Sequence, residues 1–354
     1  MLESYIVYNA IVIVILCFAY LNAVTSSEFY RVKFRWIVFL TILVIGIIRY
    51  DVGPDYSRYA SAYYSIQRYG GDVTLSSFLY YWLSRLFGNV PYGYVWVLGI
   101  YQFLTVFVLF RLLTKKDIFY FGIFLFVVLG FWFWTLDGVR QGLACVIFLY
   151  AVKYIEQKNL SKYLCCIAVA FVVHISSIFL LPVYWIVQKK YPKFLLCILL
   201  IVFIGGHYMQ IWRSFFVSLY SMVPYYSDIY ALADYAEQTG QFNSGLGFLW
   251  NVLLVFFVFW RCRNTVYLNL VVLGGILYFF AGGNLNITRI ALYFLHVEYL
   301  AIPLIFKEMK GELFLKFLMI VLMMIYYQSI IQRNNFSYKT VFSKEFHLQK
   351  FEER

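Results

Sequence analysis

The sequence predicts an all-α, polytopic integral membrane protein with about 12 transmembrane helices and outer-face loops that carry short interfacial helices. Hydrophobic residues make up 63% of the 354 residues and charged residues only 13%, against roughly a quarter charged in a soluble domain. Apolar runs approaching the ~20 residues that span a bilayer follow one another along most of the chain. Lysine and arginine cluster in the short loops between these runs, as in membrane proteins of fixed orientation.

The apolar runs predict twelve helices, separated mostly by short loops. They lie near residues 4–24, 35–49, 91–112, 117–134, 139–155, 161–174, 175–188, 194–207, 246–260, 266–282, 290–306 and 312–331. We expect one transmembrane domain over residues 1–331 and a polar C-terminal tail over 332–354.

Two connecting segments, at about 50–90 and 208–245, are long enough to form structure of their own. In the first, Leu75, Phe78 and Trp82 recur at helical spacing, which favours a helix lying in the membrane interface. The second is rich in tyrosine, which fits either a cover over an outward-facing site or an ordinary loop with interfacial aromatic residues.

Lysine-rich loops alternate with the remaining loops, as a chain that crosses the membrane repeatedly requires. They hold twelve lysines and five arginines, namely Arg31, Lys33, Arg35, Arg111, Lys115, Lys116, Lys153, Lys158, Lys162, Lys189, Lys190, Lys193, Arg261, Arg263, Lys307, Lys310 and Lys316. Such loops face the cytoplasm, so we expect both termini on the outer face.

The outer face carries arginine in place of lysine. Before the tail, its positive residues are Arg49, Arg58, Arg68, Arg85, Arg140, Arg213 and Arg289. Arginine binds phosphate or carboxylate through a planar fork of donors and stays charged when partly desolvated. The pattern favours an anion site, although chance and salt bridges to nearby aspartates also explain it.

The net charge of +12 does not indicate nucleic acid, because the positive residues stand in short clusters between apolar runs. The six cysteines and four histidines show no metal-ligand spacing, so no metal site and no cofactor are predicted.

The first polar constellation reads RYDVGPDY over residues 49–56, with Arg58 close behind. Glycine and proline prevent the helix from continuing, so the chain turns at the bilayer surface. Asp51 and Asp55 beside two arginines are costly there unless they are paired or used. A salt-bridged helix end explains the aspartates equally well, whereas Arg49, nearest to the hydrocarbon, is the stronger functional candidate.

The second constellation reads DGVRQG over residues 137–142. Asp137, Arg140 and Gln141 stand at i, i+3 and i+4, so we expect them on one helix face. The two glycines permit close approach of another backbone or a ligand. Because the outer loop is only a few residues long here, Arg140 is held at the membrane surface, which favours a functional role.

The third constellation is HISS over residues 174–177, near an outer helix end. A lone histidine in a membrane segment can be a hydrogen-bonded packing residue. It is also the side chain whose unperturbed pKa suits proton transfer near neutral pH. Both readings of His174 stay open on this pattern.

The fourth constellation is NLNITR over residues 284–289, just before the helix predicted from residue 290. A cation at a helix N-terminus is unfavourable for the helix dipole. A bound anion would explain why Arg289 stands there.

These fragments stand in a fixed order and on one face of the predicted topology. They read R-x-D-x-G-x-D-x3-Y over 49–59, R-Q at 140–141, H-x-S at 174–176, P-x-Y at 182–184 and R-x3-Y-F over 289–294. In this order the chain, over about residues 1–330, resembles the EpsG family, Wzy-like polymerases of exopolysaccharide, capsule and O-antigen repeat units.

The resemblance implies a metal-independent, inverting glycosyltransferase that acts on the outer face of the bacterial cytoplasmic membrane. The growing glycan would leave its polyprenyl (undecaprenyl) pyrophosphate carrier and join a sugar hydroxyl of the next lipid-linked unit. Arginines would stabilise the pyrophosphate leaving group, and a base would take the hydroxyl proton. Expected partners are these lipid-linked oligosaccharides, membrane lipid and, as a candidate, a chain-length regulator, but no nucleic acid.

On this basis each candidate residue receives a role. The assignments are Arg49, Arg140 and Arg289 for pyrophosphate, His174, Asp51 or Asp55 for the base, and Tyr56, Arg58 and Gln141 as neighbours of the substrate.

Two rival functions remain on the sequence alone. A flippase for lipid-linked oligosaccharides would also bind pyrophosphate through arginine, but its basic residues should follow a path across the bilayer rather than collect at one face. A membrane acyltransferase would need a thioester site on the cytoplasmic side, whereas His174 maps outward.

Overall fold

The computed structural model describes residues 2–70, 78–115, 118–221, 245–332 and 337–343, and most of them are helical. The helices are α1 (Leu2–Val24), α2 (Glu28–Ile48), α3 (Tyr56–Tyr69), α4 (Phe78–Leu86), α5 (Gly93–Lys115), α6 (Phe119–Val128), α7 (Phe131–Asp137), α8 (Val139–Glu156), α9 (Leu160–Val173), α10 (Val183–Ile186), α11 (Lys193–Tyr208), α12 (Ile211–Ser221), α13 (Leu246–Arg261), α14 (Thr265–Phe280), α15 (Leu285–Leu295), α16 (Glu298–Glu308) and α17 (Leu313–Ile331). Two short strands, β1 (Arg49–Tyr50) and β2 (Lys339–Thr340), pair with each other. The predicted all-α class is confirmed.

Four helical segments are long and apolar enough to cross a membrane: most of α1, most of α5, the stretch Leu285–Glu308 and α17. Two more candidate spans arise if each bent pair counts as one, α6 with α7 at 60° and α11 with α12 at 71°. Other apolar helices are shorter. For example, α13 and α14 have 16 residues each and reach about 24 Å, less than the ~30 Å of hydrocarbon. The described residues thus hold four to six candidate spans, and the count of about 12 stays a prediction.

The helix predicted at 117–134 is divided at Gly130 into α6 and α7. Three further predicted helix boundaries were wrong. Helix α2 begins at Glu28 rather than near residue 35, since Glu28 pairs with Arg31 and Arg35 along its first turns. The helix predicted at 175–188 is a 3-10 helix (Ile175–Leu180) followed by the four-residue α10.

The third wrong boundary concerns the helix predicted to begin at residue 290. Helix α15 begins at Leu285, because the Asn284 side chain accepts hydrogen bonds from Asn286 N and Ile287 N. An asparagine in this position is a strong helix N-cap.

The chain divides into two compact units. The first comprises Met1–Tyr154, Leu160–Ile178 and Leu313–Arg354, and the second comprises Ile155–Asn159 and Phe179–Glu312. In the first, α1 packs on α2 and α6, while α2 and α6 both contact α5. In the second, α14 lies against α11, α13, α15 and α16.

The predicted interfacial helix is present as α4, although Leu75 lies outside the described residues. Its apolar side chains Phe78 and Trp82 are exposed, whereas Tyr80 and Ser84 are buried on a helix that contacts α5 and α9. A face of exposed aromatic side chains is what an interfacial helix presents to lipid. In the other long segment (208–245), helix α12 occupies Ile211–Ser221. The tyrosines of this segment at 225, 226, 230 and 235 lie outside the described residues.

A short segment near the C-terminus packs onto the end of α2. Strand β2 runs antiparallel to β1, with Arg49 opposite Thr340, and Val341 N donates to Ile48 O at 2.9 Å. Tyr338 stacks edge-on against Tyr8 at 5.5 Å between ring centroids, and its backbone N–H donates to Ser4 Oγ at 3.0 Å. Residues near both termini therefore lie at the same end of the first unit as Arg49, the relation that the charge pattern predicts.

In the second unit, loops predicted to be cytoplasmic meet at one end. Arg261, before α14, forms two hydrogen bonds to Glu312, before α17. Asn264 donates to Glu156 at 2.9 Å, and Asn269 donates to the carbonyl of Lys189 at 2.7 Å. These contacts agree with the grouping of the lysine-rich loops on one face that the charge pattern predicts.

Candidate functional site

Arg49 is the first residue beyond α2, and its side chain turns back into the protein. The helix ends because Arg49 adopts an extended backbone, with φ −62° and ψ 144°. The residue is 1% exposed, and its Nη1 donates to Gly46 O at the helix end. Among the described residues, its Nε and Nη2 have no hydrogen-bond partner. Burial lowers the pKa of Arg49, and the nearby Tyr56 and Asp137 oppose that effect.

The turn after Arg49 rests on Asp137, 82 residues beyond Asp55 along the chain. Asp137 Oδ1 accepts a hydrogen bond from Asp55 N at 2.7 Å. Gly53 has φ +90°, and a Cβ there would lie 2.7 Å from Asp137 Oδ1 and 3.0 Å from its Cα. Only glycine combines that backbone with such a close approach. The glycine of the first constellation thus lets the turn dock onto the aspartate of the second.

The prediction that Asp137, Arg140 and Gln141 share one helix face was wrong. Helix α7 ends at Asp137, and Gly138, with φ −81° and ψ 60°, separates it from α8. The i, i+3, i+4 rule holds only within a continuous helix, so the break frees Asp137 to meet the turn. At Gly142, a Cβ would lie 3.0 Å from Thr135 Cα, so the expected close backbone approach is confirmed there.

Arg140 lies among tyrosines at the start of α8. Its guanidinium carbon is 5.7 Å from the ring centroid of Tyr59 and 5.9 Å from that of Tyr80, distances typical of a cation–π contact. Burial raises the pKa of Tyr59, and Arg140, which hydrogen-bonds to it, opposes the rise. The turn that follows Arg49 docks on Asp137, which stands three residues before Arg140. The two predicted arginines therefore lie in one region, which we call the arginine–tyrosine site (Arg49, Tyr59, Asp137 and Arg140).

The other candidates of the first constellation differ in exposure. The Asp55 carboxylate accepts from Arg58 Nη1 at 2.9 Å, and the Arg58 side chain is 78% exposed. Asp51 is half-buried and occupies the left-handed region at φ 51°. Tyr56 is buried, and its ring packs against Tyr50 and Tyr94. Tyr56 is thus part of an aromatic cluster.

Gln141 and His174, the remaining candidates of the first unit, differ in setting. Gln141 is buried in α8 at 3% exposure. His174 follows α9, is half-buried, and has its Nδ1 2.7 Å from Ser176 Oγ. The H-x-S spacing therefore corresponds to a direct contact that orients the imidazole ring. Helix α9 packs on α4, which carries Tyr80.

Arg289 belongs to the second unit. It is half-buried and is the fifth residue of α15, one turn inside the helix rather than at its start. The helix dipole acts mainly on the terminal turn. The dipole argument for an anion at Arg289 is therefore weaker than the sequence suggested.

Tyr59 and the anchoring role of Asp137 were missed by the sequence analysis. The signal for Tyr59 was present, because it closes the R-x-D-x-G-x-D-x3-Y fragment, but aromatic residues are so frequent that it carried no weight alone. Within the described residues, no group of three or more His, Cys, Asp or Glu side chains is placed to hold a metal ion.

Comparison with known proteins gives one match. A model of the EpsG family matches residues 32–342, a range that includes all nine candidate residues. No curated protein and no solved structure matches the chain significantly.

Proposed function

The chain belongs to the EpsG family, and from this premise we propose that it polymerises polyprenyl-pyrophosphate-linked oligosaccharide repeat units on the outer face of a bacterial cytoplasmic membrane. The product would be a capsule, exopolysaccharide or O-antigen chain. The observation that carries the proposal is the arginine–tyrosine site, where Arg140 lies beside the ring of Tyr59 and the turn after Arg49 docks on Asp137, three residues before Arg140.

In the proposed reaction, the acceptor is a sugar hydroxyl of one lipid-linked unit and the donor is the glycan on another carrier. The hydroxyl oxygen forms a bond to the anomeric carbon while the bond from that carbon to the pyrophosphate oxygen breaks. The polyprenyl pyrophosphate leaves with the bonding electron pair, and a base takes the hydroxyl proton. Direct attack from the opposite face inverts the anomeric configuration.

The arginines are proposed to stabilise the charge that develops on the leaving pyrophosphate, an effect that is strong where donors are fixed and partly desolvated. Pyrophosphate already leaves readily, so this chemistry requires no metal. Arg140 is half-buried. Arg49 is buried, and its backbone pairs with Thr340 of β2, so its side chain would reach the substrate only if the surrounding residues move.

The base is proposed to be His174, with Asp51 and Asp55 as the alternatives. The Ser176 contact orients the His174 ring, as a positioned general base requires. Asp55 already forms an ion pair with Arg58. Arg58 and Gln141 are proposed to neighbour the substrate. The pyrophosphate-binding role of Arg289, in the second unit, stays a prediction.

The test is polymerisation by purified protein supplied with lipid-linked repeat units. Arg140→Ala should lower the rate at least about a hundredfold, the loss typical for one donor to a developing anion, and Arg140→Lys should restore only part of it. Arg85→Ala is the matched control, since Arg85 is an exposed arginine in α4 and should leave the rate unchanged. Wild-type activity in Arg140→Ala would refute the proposal.

Glycans extracted from cells that lack the gene distinguish the rival functions. Single repeats without long chains indicate a polymerase. Loss of all surface glycan indicates a flippase, and chains of normal length without acyl groups indicate an acyltransferase.

A further inference from the structure

The second unit contains a cavity of about 580 Å³ that the proposed polymerisation does not use. It lies where three loop regions meet: the start of α11, the connection from α13 to α14, and the connection from α16 to α17. These loops belong to the set that the charge pattern assigns to the cytoplasmic face. The cavity is therefore expected at the inner membrane surface.

The lining of the cavity is positively charged. Four cations, Lys190, Lys193, Arg261 and Arg263, face two carboxylates, Glu308 and Glu312. Glu312 is fully engaged by Arg261, through hydrogen bonds of 2.9 and 2.8 Å. Glu308 is 3.5 Å from Arg263 Nε, with both side chains exposed, and such a pair contributes little. The two carboxylates pair with the two arginines, so the positive charges of Lys190 and Lys193 are not balanced within the lining.

Asn269 adds a polar group at the buried wall of the cavity. The residue is 5% exposed, and its Nδ2 donates to the carbonyls of Val187 and Lys189. Its Oδ1 is buried and has no hydrogen-bond partner among the described residues. A buried acceptor without a donor is costly, so a ligand hydroxyl would stabilise it.

A large aromatic side chain lines the same cavity. Trp260 is 69% exposed. Tryptophan beside lysine and arginine is typical of the level of lipid head groups. Basic pockets between helices at this level bind anionic head groups.

We propose that this cavity binds the head group of an anionic phospholipid whose phosphodiester is attached to a hydroxyl-bearing alcohol, as in phosphatidylglycerol. Lys190 and Lys193 hold the phosphate, and Asn269 Oδ1 accepts a hydrogen bond from a head-group hydroxyl. The acyl chains lie along the apolar surface that includes Trp260. Because none of these residues belongs to the arginine–tyrosine site, this binding does not depend on the proposed enzymatic activity.

The test measures binding of short-chain phosphatidylglycerol to the full-length protein in uncharged detergent, by native mass spectrometry or calorimetry. A lysine near an anionic lipid contributes enough for about a fivefold change in affinity. The double variant Lys190→Gln with Lys193→Gln should therefore bind about thirtyfold more weakly. The matched control, Lys158→Gln with Lys162→Gln, removes the same charge from another lysine-rich loop and should bind like wild type.

Three comparison ligands separate the sources of affinity. Phosphatidylcholine lacks net charge and should bind much more weakly. Phosphatidylethanol has the same charge but no head-group hydroxyl, and one lost hydrogen bond predicts about a fivefold weaker affinity. Glycerol 3-phosphate tests a soluble phosphate as the ligand.

Equal binding by the double variant and wild type would overturn the proposal, as would equal affinity for phosphatidylcholine. Glycerol 3-phosphate binding as tightly as the lipid would replace the lipid by a soluble phosphate and so refute the membrane source. Equal affinity for phosphatidylethanol would overturn the role of Asn269.

Discussion

Replacing Asp137 with alanine should destabilise the turn that follows Arg49, because one carboxylate serves two partners there. Its Oδ1 accepts the hydrogen bond from Asp55 N at 2.7 Å, and its charge favours the cationic form of the buried Arg49. Alanine removes both interactions and leaves a half-buried N–H group and a buried guanidinium group with less compensation.

The magnitude follows from these two interactions. A hydrogen bond to a charged acceptor contributes about 1.5–3 kcal/mol, and the attraction to Arg49 adds about 1–2 kcal/mol at the effective dielectric of a protein site. We expect Asp137→Ala to lower the free energy of unfolding by about 2.5–5 kcal/mol. Asp137→Asn keeps an acceptor at Oδ1 and should lose only about 1–2 kcal/mol.

The assay is dodecyl sulfate unfolding of the purified protein in mixed micelles, followed by tryptophan fluorescence. Asp55→Asn is the control, because the Asp55 carboxylate pairs with an exposed arginine and should contribute less than about 1 kcal/mol. Combining Asp137→Ala with Arg49→Met should restore part of the loss, since no buried charge then lacks its counter-charge. A loss under about 0.5 kcal/mol for Asp137→Ala, or strict additivity of the two changes, would refute the reasoning.

Three other changes in the same region have expected outcomes. Gly53→Ala should cost about 3 kcal/mol of unfolding free energy, from a left-handed backbone and a clash with Asp137. At Gly70, φ is +77° and no atom of the described residues lies within 4 Å of an added Cβ. Gly70→Ala should therefore cost only about 1 kcal/mol, and equal costs for the two changes would contradict the clash. Tyr59→Phe keeps the ring beneath Arg140 but removes the hydroxyl, so the polymerisation rate should fall about tenfold with the fold retained; an unchanged rate would exclude the hydroxyl from the site. Burial raises the pKa of Tyr338 from 10.0 to about 12, because the packed tyrosine stays neutral. The contribution of Tyr338 to the packing of residues 337–343 is therefore fully present below pH 10 and is lost as the pH rises toward 12. Limited proteolysis across that range should show the release, and Tyr338→Phe should abolish its pH dependence.

The class of fold and the grouping of loops were predictable because both depend on local composition. Apolar runs predict helices wherever they occur, and the lysine-rich loops predict which helix ends lie together. The contacts of Glu156 with Asn264 and of Arg261 with Glu312 agree with that grouping. Family membership was also predictable, since the order of short fragments is informative even when each fragment alone is weak.

The geometry of the site was less predictable because it depends on breaks and distant contacts. The i, i+3 argument placed Asp137 on the helix of Arg140, whereas Gly138 ends that helix and directs Asp137 to the turn at Gly53. The N-cap role of Asn284 could have been recognised, and it would have moved the start of α15 ahead of Arg289. No local sequence pattern predicts that two strands of two residues each, about 290 residues apart in the sequence, pair with each other.

That strand pair also imposes an order on biosynthesis. Strand β2, the partner of β1, is translated about 290 residues later, after every described helix. Synthesis proceeds at ~5–20 residues per second, so this distance corresponds to a delay of roughly 15–60 s. During that time the backbone of β1 lacks its partner strand β2, and the edge of β1 is open to pairing with other chains. A ribosome that stalls in α17 would thus release a protein with its helices present but this edge uncovered. The unpaired edge of β1 would then distinguish a chain whose synthesis stopped early from one that includes β2.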